Sequence, residues 1–148
     1  MLLGLLAGCG QEQQTPEQQI RQRIDALVEA VEARESLALN DFLHPDYADS
    51  RHPDRRTALR TLLGYLLRHR GIHLFTLVRS IDYVEDAQAA HVTVLVAMNG
   101  VPVESLETLV SLKADLYRFD LQLLNDDDWQ IRSAAWQRTD PGSLIGAD

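Results

Sequence analysis

The sequence predicts an α+β domain in which three helices come first and four antiparallel strands follow. In the first half, apolar residues recur at three- and four-residue steps, which is typical of amphipathic helices. The second half is rich in β-branched and aromatic residues separated by turn residues, which is typical of strands. Helices followed by an antiparallel meander favour a curved sheet that closes over its own helices. We therefore expect a cone-shaped domain.

The composition limits the possible functions. The chain has 148 residues, 45% of them hydrophobic and 24% charged, and this length corresponds to one domain. A single cysteine excludes an internal disulfide and a cysteine-rich zinc site. The formal net charge of -8 repels a phosphate backbone, so no nucleic-acid partner is predicted. The sequence has no histidine pair at helical spacing beside an acid and no glycine-rich phosphate loop, so neither a metal nor a cofactor is predicted.

The first element is a short apolar segment that ends in Leu-Ala-Gly-Cys at Cys9. This ending resembles the lipobox of bacterial lipoproteins. The resemblance implies that residues 1–8 are a removed signal segment, that Cys9 is acylated, and that residues 9–15 tether the domain to a membrane. Gly10 in place of aspartate implies the outer membrane, with the domain facing the periplasm. Alternatively, residues 1–9 are an apolar end whose cysteine acts as a small hydrophobic side chain.

The first helix is predicted from Pro16 to Ala33. Thr15 is a capping residue, Pro16 suits the first helical position, and Gln18 completes a capping box. An apolar stripe should face the core; it comprises Ile20, Ile24, Leu27, Val28 and Val31.

Two further helices are predicted before residue 72. One covers Leu37–Leu43 and ends before Pro45, because the residue preceding a proline is pushed out of helical dihedrals. Pro53 is predicted to open the third helix and Gly71 to end it. The stripe of this helix comprises Leu59, Leu62, Leu63 and Leu66.

Four strands are predicted over residues 72–84, 89–98, 106–124 and 129–138. Asn99 and Gly100 form a strong hairpin signal, because both residues tolerate the positive φ of a tight turn. Residues 139–148 have the composition of a flexible tail.

Three segments carry a resemblance to a known family. They are Asp46–Asp49 after the second helix, Ala114–Phe119 in the third strand and Trp129–Trp136 in the last. Together with the element order they resemble the nuclear-transport-factor-2-like superfamily, also called SnoaL-like, over residues 16–138. The resemblance implies a cystatin-like cone. Members include ketosteroid isomerases, dehydratases, polyketide cyclases, dimeric adaptors and lipoproteins without a known reaction, so the fold does not settle the function.

The isomerase branch supplies a sharper comparison. Its reaction uses a carboxylate base, with a tyrosine and a protonated acid that stabilise the oxyanion. By this resemblance Asp115 falls at the position of the acid, and Asp49 lies within about a residue of the base. Val28 stands where the tyrosine is required, and it has no donor to offer. Steroid isomerisation is therefore not predicted.

The candidate ligand-binding residues lie at the mouth and on the inner face of the predicted cone. They are Tyr47, Asp49, Tyr65, Lys113, Asp115, Tyr117 and Trp136. Loops at a pocket mouth commonly supply its few polar groups, although turn formation is an equal explanation for an aspartate there. Strand alternation puts Lys113, Asp115 and Tyr117 on one face.

Some of the same residues also have purely structural explanations. Asp115 is also explained as half of a structural ion pair with Lys113 or Arg132, which would lower its pKa and weaken it as a base. Tyr65 and Trp136 are also explained as packing residues.

Two surfaces suggest partners. Arg51–Arg70 is strongly basic and suits either an acidic lipid headgroup or the acidic edge of a second copy. The outer side of the third strand is apolar for an exposed face and predicts a homodimer; its alternating residues are Val110, Leu112, Ala114 and Leu116.

The leading interpretation is a membrane-anchored periplasmic lipoprotein that binds a small apolar or amphipathic ligand, or a protein partner, without catalysis. One alternative is a small isomerase, dehydratase or cyclase that uses Asp49 and Asp115 as acid and base. Another is a dimeric structural adaptor of the cell envelope.

Overall fold

A computed structural model describes residues 14–84, 86, 88–99 and 115–140. The predicted signal segment, Cys9, Lys113, Gly100, residues 106–114 of the predicted third strand and most of the predicted tail lie outside the described residues. In the described part, three helices precede a four-stranded sheet, which confirms the predicted α+β class. The helices are α1 (Pro16–Glu32), α2 (Ser36–Phe42) and α3 (Arg55–Arg68). The strands are β1 (His73–Val84), β2 (Ala89–Asn99), β3 (Asp115–Asn125) and β4 (Trp129–Thr139).

Helix α1 begins as predicted. The Thr15 hydroxyl accepts from the Gln18 N–H at 3.2 Å, and the Gln18 side chain accepts from the Thr15 N–H at 3.0 Å. These two bonds form the capping box, and Pro16 occupies the first turn. No described helix is long and apolar enough to cross a bilayer.

The start of α3 differs from the prediction. The helix begins at Arg55 rather than at Pro53, because Asp54 is its N-cap and its carboxylate accepts from the Thr57 N–H at 2.8 Å. A side-chain oxygen satisfies a free N–H of the first turn, whereas proline only removes one, so the aspartate sets the boundary. The helix ends at Arg68, and Gly71 follows with a φ of 71° in the turn to β1.

The sheet is an antiparallel meander in the order β1-β2-β3-β4. Two register shifts interrupt it, between Val78 and Ser80 in β1 and between Gln122 and Leu123 in β3. Such bulges bend a strand and increase its twist, which curves the sheet around the helices.

The core lies between α1 and the inner face of the sheet. Ile20 and Ile24 of α1 pack there with Val92, Leu121 and Trp129, all of them buried. A second cluster joins the three helices to the start of β1; its buried members are Ala30, Val31, Leu39, Phe42, Leu66 and Ile72.

The outer face of the sheet differs from the prediction at Leu116. This residue is 2% exposed and packs with Leu95, Ala97 and the partly buried Phe75 and Leu77. Leu116 is therefore already buried in a single chain, and its described contacts are apolar side chains of β1 and β2. Val110, Leu112 and Ala114 lie outside the described residues, and the predicted homodimer stays a prediction.

Candidate functional site

The inner face of the sheet has two ends with different packing. We call the first the closed end, defined by Ile24, Leu27, Leu121, Leu123 and Trp129. The cavity among these residues measures about 10 Å³, roughly the space of one water molecule. Trp129 is 1% exposed, and its indole N–H donates to the Gln19 side chain at 3.1 Å. The closed end therefore has no room for a ligand.

Arg23 seals the closed end. Its guanidinium donates to the carbonyl of Trp129 and to the carbonyl of Asp41, each at 2.8 Å, and lies 4.1 Å from the centre of the Phe42 ring. It also pairs with Asp128 at 3.4 Å. One side chain thus joins α1, α2 and the start of β4.

We call the second region the aromatic end, defined by Tyr65, Tyr117, Phe119 and Trp136. All four side chains are partly buried. Phe119 and Trp136 are register partners on β3 and β4, and their rings stack with centroids 5.8 Å apart. The Tyr65 hydroxyl donates to the Met98 sulfur at 3.2 Å. Burial raises the pKa of Tyr65, and the nearby Tyr117 and Asp115 raise it further. Predicted residues of α3 and β3 therefore do come together here.

The loop between α2 and α3 forms a hydrogen-bond network with α3 around the buried side chain of Asp49. The Tyr47 hydroxyl donates to Asp49, whose side chain is only 1% exposed. His52 Nδ1 lies 3.0 Å from both Asp49 carboxylate oxygens, and His52 Nε2 lies 3.0 Å from the Thr61 hydroxyl. The backbone N–H groups of Arg51 and His52 also donate to Asp49, at 2.7 and 2.8 Å. We call these four side chains, Tyr47, Asp49, His52 and Thr61, the Asp49 network.

The Asp49 network fixes the charges of its members. Burial alone would raise the pKa of Asp49, but hydrogen bonds from Tyr47, His52 and two backbone N–H groups hold it below the ordinary value. Burial and the adjoining Asp49 carboxylate raise the pKa of Tyr47, so its hydroxyl stays protonated. An ionised carboxylate only accepts, so His52 Nδ1 carries a proton and, in the neutral ring, Nε2 accepts from Thr61.

Trp136 connects the Asp49 network to the aromatic end. Its ring stacks on His52 with centroids 6.0 Å apart, and the Arg51 guanidinium lies 4.7 Å from the ring centre. The network therefore backs one wall of the aromatic end. Arg51, His52, Thr61 and Phe119 were not among the predicted site residues. For His52, the local signal was its spacing of three residues from Asp49 in one loop.

Asp115 has a different partner from the two expected. It pairs with Arg138 of β4, and both side chains are exposed. Arg138 lies opposite Tyr117 in the register, so it is a diagonal neighbour of Asp115 on the same face. Arg132 falls in the bulge near the other end of β4, which is why it does not make this pair. Lys113 lies outside the described residues.

A second buried histidine holds α2 to the sheet. His44 Nε2 lies 2.7 Å from the Asp126 carboxylate, and His44 Nδ1 accepts from the Asp46 N–H at 3.0 Å. The backbone N–H of His44 donates to the Ile131 carbonyl at 2.9 Å. Within the described ranges, no three metal-ligating side chains are grouped. Val28, at the expected oxyanion position, is a partly buried apolar side chain of α1.

Comparisons with known proteins identify the fold. No protein family and no curated protein match the sequence. Among solved structures, a putative scytalone dehydratase from Novosphingobium aromaticivorans matches with a TM-score of 0.64 and 14% identity over 83% of each chain. A domain of unknown function with a cystatin-like fold from Nostoc punctiforme matches with a TM-score of 0.60 and 16% identity, over 84% of this chain and 77% of that one.

A third solved structure bears on the superfamily resemblance. An NTF-2-like protein of unknown function from Silicibacter pomeroyi matches with a TM-score of 0.58 and 12% identity, over 82% of this chain and 93% of that one. Identities this low establish the fold alone. The described part of the chain therefore has the nuclear-transport-factor-2-like fold.

Proposed function

We propose that this chain is a lipid-anchored binding module of the bacterial envelope, which takes a small apolar or amphipathic molecule at its aromatic end without catalysing a reaction. The observation that carries the proposal is the contrast within one inner face. The closed end is filled, whereas four aromatic rings at the other end are only partly buried. Partly buried aromatic side chains beside a few polar groups are typical of small-molecule sites.

The geometry of the carboxylates favours binding over acid and base chemistry. Asp49 accepts hydrogen bonds from Tyr47, His52 and the backbone, and its pKa is lowered. A carboxylate with a lowered pKa is a poor proton acceptor near neutral pH. Asp115 is paired with Arg138. We therefore assign Asp49 the role of holding the wall of the site, and Asp115 that of a polar group at its edge.

Binding at the aromatic end is tested with the neutral apolar dye phenylnaphthylamine, whose fluorescence rises on leaving water. We expect saturable binding to the full chain. Trp136→Ala and Tyr117→Ala should each weaken it by about tenfold, the equivalent of one buried aromatic contact. Tyr83→Ala is the matched control, since Tyr83 is 42% exposed on β1 and lies outside the aromatic end.

Two results would overturn this assignment. One is dye affinity that is unchanged in both aromatic-end variants. The other is turnover of a copurified small molecule that Asp49→Asn abolishes while the thermal unfolding curve is kept, because that outcome supports the enzyme alternative instead.

The anchor is tested separately, because it rests on the lipobox resemblance at Cys9. We expect the chain, expressed in a Gram-negative bacterium, to incorporate labelled palmitate and to fractionate with the outer membrane. Cys9→Ser should abolish both. Gly10→Asp should keep the label and move the protein to the inner membrane fraction, while Gly10→Ala should change neither. An unlabelled wild-type chain in the cytoplasm would contradict the proposal.

A further inference from the structure

A groove of about 710 Å³ runs along α3 beside α2, apart from the aromatic end. Its lining combines three arginines with three leucines. The lining residues are Asn40, Arg55, Arg56, Leu59, Arg60, Leu63, Gly64 and Leu67. An apolar floor edged by cations is suited to a molecule that is itself amphipathic and anionic.

The charge on this surface is opposite to that of the whole chain. The formal net charge is -8, yet residues 55–70 contain five arginines and no acid. None of the α3 arginines forms an ion pair with another residue in the part of the chain that the structure describes.

Asp54 is an acid next to two of the lining arginines, Arg56 and Arg60. Its carboxylate caps α3 by accepting from the N–H and the hydroxyl of Thr57, each at 2.8 Å. These bonds, with Arg56 and Arg60 nearby, hold the pKa of Asp54 below its usual value. Asp54 therefore offsets part of the charge at one end of the groove, and Arg55 donates to the Leu43 carbonyl at 3.4 Å. Within the described residues no carboxylate lies at ion-pair distance from the three arginines, which leaves their charges to an outside anion.

Two leucines project from the same surface into solvent. Leu67, which lines the groove, is 77% exposed, and Leu37 on α2 is 90% exposed. Leu37 lies three residues before Asn40, so the two residues share one side of α2. Exposed leucines flanked by arginines are characteristic of surfaces that lie in the headgroup region of a bilayer. Single exposed leucines are ordinary, but here they coincide with a groove and with arginines that form no ion pair within the described residues.

We propose that this groove, with Leu37 and Leu67 at its edge, is a second membrane contact that binds the headgroups of an anionic phospholipid bilayer. Guanidinium groups bind phosphate oxygens through paired hydrogen bonds, which suits the three arginines to phosphodiesters. The leucines enter the boundary between headgroups and acyl chains. The contact orients the domain, whereas acylation alone only retains it near the membrane.

The length of the tether is compatible with this contact, and here the inference rests in part on the proposed anchor. Six residues lie between Cys9 and Pro16, and an extended chain spans about 25 Å from one to the other. A domain held so close to the bilayer can lay one face on it. A contact with vesicles is nevertheless measurable without the anchor, so failure of one proposal does not imply failure of the other.

The test uses the full chain with Cys9→Ser, which cannot be acylated, in flotation with vesicles. We expect binding to phosphatidylglycerol vesicles that falls with added salt, and much weaker binding to phosphatidylcholine vesicles. Replacing Arg55, Arg56 and Arg60 with glutamine should weaken binding by about fivefold for each arginine. Leu37→Ser with Leu67→Ser should weaken it further.

The matched control carries the same change of charge elsewhere. Arg21→Gln, Arg79→Gln and Arg118→Gln remove three exposed arginines of α1, β1 and β3, and should leave binding within about twofold. Circular dichroism checks that each variant is folded. Residues 1–8 are present in every variant, so their apolar contribution cancels in the comparison.

Three outcomes would overturn the proposal. The first is equal binding to both vesicle types. The second is an equal loss in the control and the groove variants. The third is binding of monomeric dodecyl phosphate, lost in the groove variant, with no vesicle binding, which would make the groove a site for a single amphiphile.

Discussion

Trp129 and Trp136 lie on the same strand and the same inner face, but in different surroundings. Trp129 is 1% exposed and closes the core against α1, with its N–H bonded to Gln19. Trp136 is partly buried and lies between Phe119, His52 and the Arg51 guanidinium. The inner face of one sheet therefore packs into the core at one end and keeps aromatic side chains partly exposed at the other. Helix α1 covers the closed end fully, whereas the contacts of α3 go mainly to α2 and leave the aromatic end partly open.

Alanine substitutions of the two tryptophans should differ most in their effect on the free energy of unfolding. Trp129→Ala removes a fully buried ring and should lower the free energy of unfolding by about 3–5 kcal/mol. Trp136→Ala should cost about 1–2 kcal/mol, because its ring loses stacking contacts but little buried area. Urea denaturation followed by circular dichroism measures both. Equal losses would remove the distinction between the two ends.

The Asp49 network is the next test, since it backs the aromatic end. Asp49→Asn should lower the free energy of unfolding at neutral pH by about 2 kcal/mol, because a charged acceptor of several hydrogen bonds is lost. The pKa of Asp49 is lowered in the folded state. Its contribution is therefore complete above the unfolded pKa of about 3.9 and disappears as the pH falls through the folded pKa.

Acid titration of stability checks the sign of this effect. The wild-type chain should lose stability below about pH 4 more steeply than Asp49→Asn does. Asp127→Asn, in the exposed turn before β4, is the control and should follow the wild-type curve. If Asp49→Asn lost stability in parallel with the wild type as the pH falls, the Asp49 network would not support the wall of the site.

Arg34 gives the smallest expected effect, and it concerns the position of α3. Its guanidinium donates to the carbonyls of Leu66 and His69 at 2.6 and 2.7 Å, which ties the end of α3 to the corner after α1. Its backbone has a φ of 58°. Arg34→Ala should cost about 1–2 kcal/mol of unfolding free energy. Arg34→Gly should cost about 1 kcal/mol less, since glycine adopts this conformation without strain.

Thermal unfolding measures how each Arg34 variant changes stability, and the dye titration measures whether α3 has moved at the aromatic end. If Arg34 positions α3, both variants should weaken dye binding at the aromatic end equally, although Arg34→Gly is the more stable. Unchanged dye affinity would mean that the packing of α3 on α2 alone positions the helix.

Much of the fold was predictable because its signals are local. The start of α1 depends on Thr15, Pro16 and Gln18, which lie within one turn of each other. The strand boundaries follow turn residues in the same way. The start of α3 was misplaced by two residues, because both Pro53 and Asp54 are typical of helix starts and only the hydrogen bond to Thr57 decides between them.

The partners of the site residues were not predictable from spacing. Asp115 pairs with Arg138 because the extra residue Arg132 in β4 shifts the register between β3 and β4, and no short motif encodes such a bulge. His44 meets Asp126 across 82 residues. Sequence reasoning found Tyr47 and Asp49 but missed His52 and Thr61, since a loop and a helix must first pack together before Nε2 reaches the hydroxyl.

The sequence by itself determined the order of helices and strands and the apolar stripe of α1, because periodicity and capping act between near neighbours. Only the tertiary structure decided which end of the inner face is filled, which carboxylate is neutralised by which partner, and that Leu116 is buried rather than exposed. Those outcomes depend on how far each helix covers a curved sheet, and curvature is a property of all the strands together.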